Sequence, residues 1–157
     1  MSSGARAGAH AARWVALAGA TGATCDIVYA ILYYGWRGVP AQRILQTVAS
    51  GLLGKAAYDG GWPVAALGLV LHYAIVIVAA ALFFAVARRW AWLREEPVTA
   101  GLAYGVAIYG VMNFVVLPLS AYPYPIRFPL LTTATNLLMH MVGVSLSISL
   151  ITRRAHS

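Results

Sequence analysis

The sequence has little charge and almost no cysteine. Charged residues make up only 10% of the 157 positions, whereas hydrophobic residues make up 61%, compared with ~45–50% in soluble domains. A soluble chain of this length cannot hide so much apolar surface, and a bilayer removes that requirement. The single cysteine, Cys25, lies within an apolar run and cannot form an internal disulfide or a CxxC redox pair. This argues against a membrane thiol oxidase.

Motifs of familiar enzymes are also missing. The chain contains no HExxH zinc motif, no paired acidic metal motif, no GxSxG nucleophile and no nucleotide-binding loop. Its net charge of +7 suggests nucleic acid at first sight, but the arginines stand at the ends of apolar runs. That placement follows the positive-inside rule, so we expect no nucleic-acid partner. We also expect no metal, and the balance of evidence is against an enzyme.

Long apolar runs dominate the chain. They predict four transmembrane helices, at about residues 14–35, 63–87, 98–119 and 130–151. Each is long enough to cross the ~30 Å hydrocarbon layer, which takes about 20 residues. Residues 1–13 are small and basic, and we expect them to be disordered or interfacial. The predicted fold is a single all-α domain, a transmembrane four-helix bundle whose main partner is the lipid bilayer.

A more polar segment, at about residues 41–58, separates the first two runs. One side of a helix here carries apolar residues (Ile44, Leu45, Val48, Leu52, Leu53) and the other carries polar ones (Arg43, Gln46, Ser50, Lys55). This pattern predicts a short amphipathic helix in the membrane interface, on the extracytoplasmic side. A plain connecting helix is one alternative, and a re-entrant segment, which Gly51 and Gly54 would allow, is another.

The basic residues predict the orientation. Seven lie on one side of the predicted bundle (Arg6, Arg13, Arg88, Arg89, Arg94, Arg153, Arg154) and four on the other (Arg37, Arg43, Lys55, Arg127). The excess places both termini in the cytoplasm. The two halves also resemble each other, as two similar hairpins. Asp26 is followed by His72 and an arginine pair, and Asn113 is followed by His140 and a second pair.

One polar side chain lies in each span at a similar depth. At ~1.5 Å per residue, Asp26 and Asn113 lie roughly 18 and 21 Å from one edge of the bilayer. His72 and His140 lie roughly 12 and 14 Å from the other edge, and Asn136 shares a helical face with His140. We therefore predict a buried polar cluster of these five residues.

Three interpretations of the cluster remain open. It can be a structural core of hydrogen bonds between helices. It can be a proton- or solute-handling site, in which Asp26 and a histidine exchange protons near neutral pH. It can also hold a haem b, with His72 and His140 as the two axial ligands. Whether the chain forms a homo-oligomer or binds a membrane partner is left open.

Four segments carry a resemblance to known proteins: RILQTVASGLLGKAAYDGG, LGLVLH, YGVMNFVVLPLS, and NLLMHMVGVSLSISL with its closing arginines. Together they resemble a group of small bacterial inner-membrane proteins of unknown function. The resemblance covers nearly the whole chain. It implies a polytopic protein of the bacterial inner membrane and supplies no catalytic residues.

Overall fold

The computed structural model describes residues 3–156, which form helices and no strand. In chain order the helices are α1 (Ser3–Gly35), α2 (Ala41–Leu53), α3 (Gly61–Ala87), α4 (Trp92–Glu95), α5 (Pro97–Leu119) and α6 (Leu130–Ala155). A 3-10 turn, Gly54–Tyr58, follows α2. Four of these helices, α1, α3, α5 and α6, are long and apolar enough to cross a membrane. The predicted all-α fold with four membrane-spanning helices is confirmed.

The first helix begins earlier than the sequence pattern predicted. Residues 3–13 continue α1 as regular helix, so the expectation of disorder there is wrong, while the interfacial position stays a prediction. Alanine recurs through this segment and is the best helix former, while arginine is also a good one. The Trp14 indole Nε1 donates to His10 Nε2 across one turn, at 3.0 Å. Helical propensity thus extends the helix past the edge of the apolar run.

Two membrane-spanning helices contain a wider π-helical turn. In α5 it covers Met112–Val116, and in α6 it covers His140–Ser145. Such turns insert one extra residue and are often found at functional sites. Asn113 lies within the first and His140 begins the second. Each turn therefore changes the direction of the side chains that follow a residue of the predicted cluster.

The four long helices form an open arrangement rather than a closed ring. Helix α1 packs against α3 and α6, and α5 packs against α6, whereas α3 and α5 make few contacts. The hydroxyl of Tyr104 on α5 donates to the carbonyl of Ala79 on α3 at 2.7 Å, and its ring lies 4.9 Å from that of Phe83. Apart from this connection, a gap separates α3 from α5.

Close helix packing depends on glycines. Gly68 of α3 lies directly against the Leu45 carbonyl of α2, with no space for a side chain. Gly101 and Gly105, which form a GxxxG pair on α5, face the backbone of α6. Small residues at such positions let helices approach closely in a membrane.

Helix α2 buries different residues from those that its pattern predicted. Leu52 and Leu53 are exposed, while Gln46 and Ser50 are buried. Both polar side chains are satisfied within the protein, because Gln46 Nε2 donates to the Gly61 carbonyl and Ser50 Oγ donates to the Thr47 carbonyl. Leu45 packs into a small cluster with residues of α1 and α3. The assigned polar and apolar sides are therefore partly wrong: α2 packs on the bundle and turns two leucines outward.

Candidate functional site

A cavity of about 1000 Å³ lies along the gap between α3 and α5. All five residues of the predicted cluster line it: Asp26 of α1, His72 of α3, Asn113 of α5, and Asn136 and His140 of α6. Every membrane-spanning helix thus contributes at least one polar side chain to a shared space. Only His72 is fully buried, and the other four are half-buried because they border the cavity.

His72 connects α3 to α1. Its Nε2 atom lies 2.9 Å from the Ala23 carbonyl and 3.9 Å from Asp26 Oδ2. A carbonyl only accepts hydrogen bonds, so Nε2 carries a hydrogen and Nδ1 is the nitrogen with a free lone pair when the ring is neutral. The distance to Asp26 is too long for a hydrogen bond. Asp26 is therefore close to His72 without being neutralised by a strong ion pair.

His140 is held by its own helix. Its Nδ1 atom donates to the Asn136 carbonyl at 2.9 Å, which leaves the Nε2 lone pair free when the ring is neutral. The ring of Tyr109 meets the imidazole edge-on, with centroids 5.6 Å apart. Each histidine thus keeps one ring nitrogen that can accept a proton. Haem ligation by His72 and His140 stays a prediction, and a Soret band from the purified protein would be its signature.

The two asparagines differ in how far they are engaged. The Asn136 amide accepts from the hydroxyl of Tyr29 at 2.9 Å and donates to the hydroxyl of Tyr34 at 3.3 Å. The Asn113 amide donates to the Tyr109 carbonyl at 2.9 Å. In the described part of the chain, no donor reaches its Oδ1 atom. Asn136 is thus occupied in joining α6 to α1, while Asn113 keeps an acceptor for the cavity.

Several of the polar atoms left over around the cavity are acceptors. They are the Asp26 carboxylate, Asn113 Oδ1, and, in the neutral rings, His72 Nδ1 and His140 Nε2. Among the described residues that line the cavity, none is a lysine or an arginine. Two contacts join members of the cluster: His72 lies 3.9 Å from Asp26, and His140 donates to the Asn136 backbone carbonyl. A molecule that donates hydrogen bonds or carries positive charge matches this lining.

Tyrosines that complete the site were not identified from the sequence. No sequence pattern marks Tyr29 and Tyr34, which hold the Asn136 side chain in the structure. Tyr104 and Tyr109 line the cavity beside the cluster. The spacing of four residues between Tyr109 and Asn113 places both on one helical face. The sequence alone could therefore have placed Tyr109 beside Asn113.

One end of the cavity is covered by α2 and by the loop at residues 120–129. Thr47 and Gly51 of α2 line this end together with Ser120 and Tyr122. The Ala121 amide donates to the Gly51 carbonyl at 2.8 Å, which ties the loop to α2. Burial, with a smaller effect from Tyr58, raises the pKa of Tyr122 above its ordinary value. Its hydroxyl therefore stays neutral across the physiological pH range.

The function of the site has to be inferred from the chemistry of its own residues. Comparison with known proteins finds no matching family model, no matching curated protein and no matching solved structure. The resemblance to a group of bacterial inner-membrane proteins therefore stays a prediction.

Proposed function

We propose that this chain is a proton-linked solute-binding protein of the bacterial inner membrane, with transport as its function. The observation that carries the proposal is the shared cavity, which Asp26, His72 and His140 all line between membrane-spanning helices. A purely structural polar core would use its polar atoms in bonds between helices. Here several acceptors face open space instead, which is the arrangement that a binding site requires.

The proton link follows from the cost of charge inside a membrane. An isolated carboxylate at this depth is expensive, so it is protonated, paired with a cation or reached by water. His72 lies 3.9 Å from Asp26, and imidazole changes its charge near neutral pH. A proton on either residue neutralises the cavity. When a charged solute enters the cavity, Asp26 or His72 therefore takes up or releases a proton.

Asp26→Asn should abolish proton movement through the protein. We expect vesicles containing the wild-type protein to dissipate an imposed pH gradient faster than protein-free vesicles, and vesicles with the variant to match the protein-free rate. The reason is that asparagine preserves the shape of the side chain but does not titrate. An entrapped pH-sensitive dye measures the rate, with the membrane potential held at zero by potassium and valinomycin.

Asp59→Asn is the matched control, because Asp59 is an exposed carboxylate in the turn before α3. It should leave the proton rate at the wild-type value. Equal rates for wild type and Asp26→Asn, with both proteins folded, would contradict the proposed function.

We propose further that both termini lie in the cytoplasm. The support is the excess of arginine at the end of the bundle that carries Arg88 and Arg153. A green fluorescent protein fused after Ser157 should therefore fluoresce, because it folds in the cytoplasm, and alkaline phosphatase fused there should be inactive. The opposite pattern would invert the orientation.

A further inference from the structure

We infer that the solute is a lipophilic monovalent cation, which enters the cavity from the bilayer between α3 and α5. The inference rests on the proposed function and specifies the ligand of the same site. It is drawn from the charge of the lining, the apolar opening and the aromatic rings around the cavity.

The charge of the lining favours a cation. Asp26 is the one lining residue, within the described chain, that carries an acidic side chain. The other titratable groups that line the same space are His72, His140, Tyr104, Tyr109 and Tyr122. Helix α2 contributes Thr47, Val48 and Gly51 to it and no charged group. With neutral imidazoles and an ionised Asp26, the cavity carries one negative charge that a monovalent cation balances.

The same lining is poorly suited to an anion. Phosphate and carboxylate sites use arginine, lysine or clustered backbone N–H groups as donors. Here the described lining has no arginine or lysine, while the acceptors around Asp26 and Asn113 remain unused. A phospholipid headgroup would therefore bring its phosphate to a place without a fixed cation. This distinguishes a positively charged solute from an ordinary membrane lipid.

The shape of the opening favours a lipophilic molecule. Apart from the polar cluster, the cavity walls are mainly apolar residues, with Val78 and Leu82 on α3 opposite Ala107 and Val111 on α5. Val78 is 58% exposed and Leu82 is 60% exposed, so the wall of the cavity continues onto the outer surface of the bundle. In a bilayer that surface faces acyl chains. A molecule dissolved in the membrane can reach Asp26 through this gap.

Aromatic rings add an attraction for positive charge. Tyr104, Tyr109 and Tyr122 line the cavity, and Trp90 and Trp92 lie at its other end. The face of an aromatic ring attracts a cation by ~0.5–2 kcal/mol, most strongly where water is excluded. These rings stabilise a bulky organic cation better than a small hydrated ion.

Binding of the cation is an exchange. The protonated carboxyl of Asp26 loses its proton, and the resulting carboxylate pairs with the cation. Where His72 holds the proton instead, the imidazolium loses it as the cation arrives. In both cases one positive charge enters and one leaves, so the net charge of the cavity is unchanged. Cation and proton therefore compete for the same site.

Binding of tetraphenylphosphonium to the purified full-length protein tests the inference. We expect saturable binding that weakens as pH falls, with the release of up to one proton for each cation bound. Asp26→Asn should weaken binding by at least about tenfold, because an opposite charge at short range is lost. Triphenylphosphine oxide, an uncharged molecule with similar rings, should bind much more weakly. Equilibrium dialysis measures binding, and a pH dye in weak buffer measures proton release.

A second pair of variants tests the route into the cavity. Ala107→Phe narrows the gap and should reduce binding, while Ala81→Phe should not. Ala81 is also exposed on a membrane-spanning helix, but it does not line the cavity. Asp59→Asn again controls for the loss of a carboxylate elsewhere. Equal cation binding by wild type, Asp26→Asn and Ala107→Phe would overturn the inference, as would equally tight binding of the phosphine oxide.

The outcomes separate this inference from the proposed function. If proton movement requires Asp26 but tetraphenylphosphonium does not bind, the cation inference is wrong and the proposal of a proton-linked site still stands. If cation binding requires Asp26 but neither proton release nor proton movement is observed, the proton link is wrong and the proposal of a cation site still stands.

Discussion

Gly68→Ala should leave little folded protein after purification in detergent. A Cβ atom at Gly68 would overlap the Leu45 carbonyl oxygen and lie 2.8 Å from the Leu45 carbonyl carbon. It would also lie 3.3 Å from the Ala49 amide nitrogen. These are backbone atoms of α2, so no rotation of a side chain relieves the overlap. Overpacked cores usually lose ~1–3 kcal/mol, and we expect a loss at or above the upper end here.

The consequence for the structure is separation of α2 from α3. Leu45 would leave its cluster with Ile27 and Ala65, and the Gln46 side chain would lose the Gly61 carbonyl. Size-exclusion chromatography and a thermal melt measure the loss. Gly110→Ala is the control, because a Cβ atom at this helical glycine meets nothing within 4 Å. A Gly68→Ala melt equal to that of Gly110→Ala would refute the close packing of α2 on α3.

Gly105→Ala should lower both the stability and the proton movement of the protein. A Cβ atom there would overlap Met141 Cα and lie 2.7 Å from the His140 carbonyl oxygen. Helix α5 would then have to move away from α6 at the π-helical turn that carries His140. We expect a loss of ~1–3 kcal/mol in stability. Because both Asn113 and His140 shift with these helices, the cavity would also lose its geometry.

Thermal melting and the vesicle assay check the two effects separately. Gly110→Ala serves again as the control, since it lies on the same helix five residues further along. A stable Gly105→Ala protein with wild-type proton movement would show that the exact approach of α5 to α6 is unimportant for the site.

Hydropathy predicted the four membrane-spanning helices. Depth and spacing selected five polar residues, and all five line one cavity in the structure. Depth was a useful guide because a helix rises by a fixed distance per residue, so residues at one depth meet if they face inward. The same rule does not give the direction of a side chain beyond a π-helical turn. No pattern in MNFVV or HMVGVS marks the extra residue. The orientation of Asn113 relative to His140 therefore required the structure.

Helix α2 shows a second limit of sequence reasoning. A periodic pattern separates polar from apolar residues, but it does not show which polar atoms find partners inside the protein. Gln46 and Ser50 are buried because backbone carbonyls accept their hydrogens. Leu52 and Leu53, by contrast, are exposed although the pattern groups them with the buried Ile44 and Leu45. The gap between α3 and α5 was also unpredictable, because it depends on which helices pack as pairs.

The length of α1 limits how far this helix can move along its axis in a bilayer. Its 33 residues extend over about 50 Å, whereas the hydrocarbon layer is about 30 Å thick. Part of the helix therefore extends beyond the hydrocarbon layer, and Arg6 and Arg13 lie near that end. Any inward sliding of α1 along its axis would draw the Arg13 guanidinium among acyl chains, which costs several kcal/mol. We therefore expect Arg13 to resist such sliding and to hold the Asp26 carboxylate at one height in the bilayer.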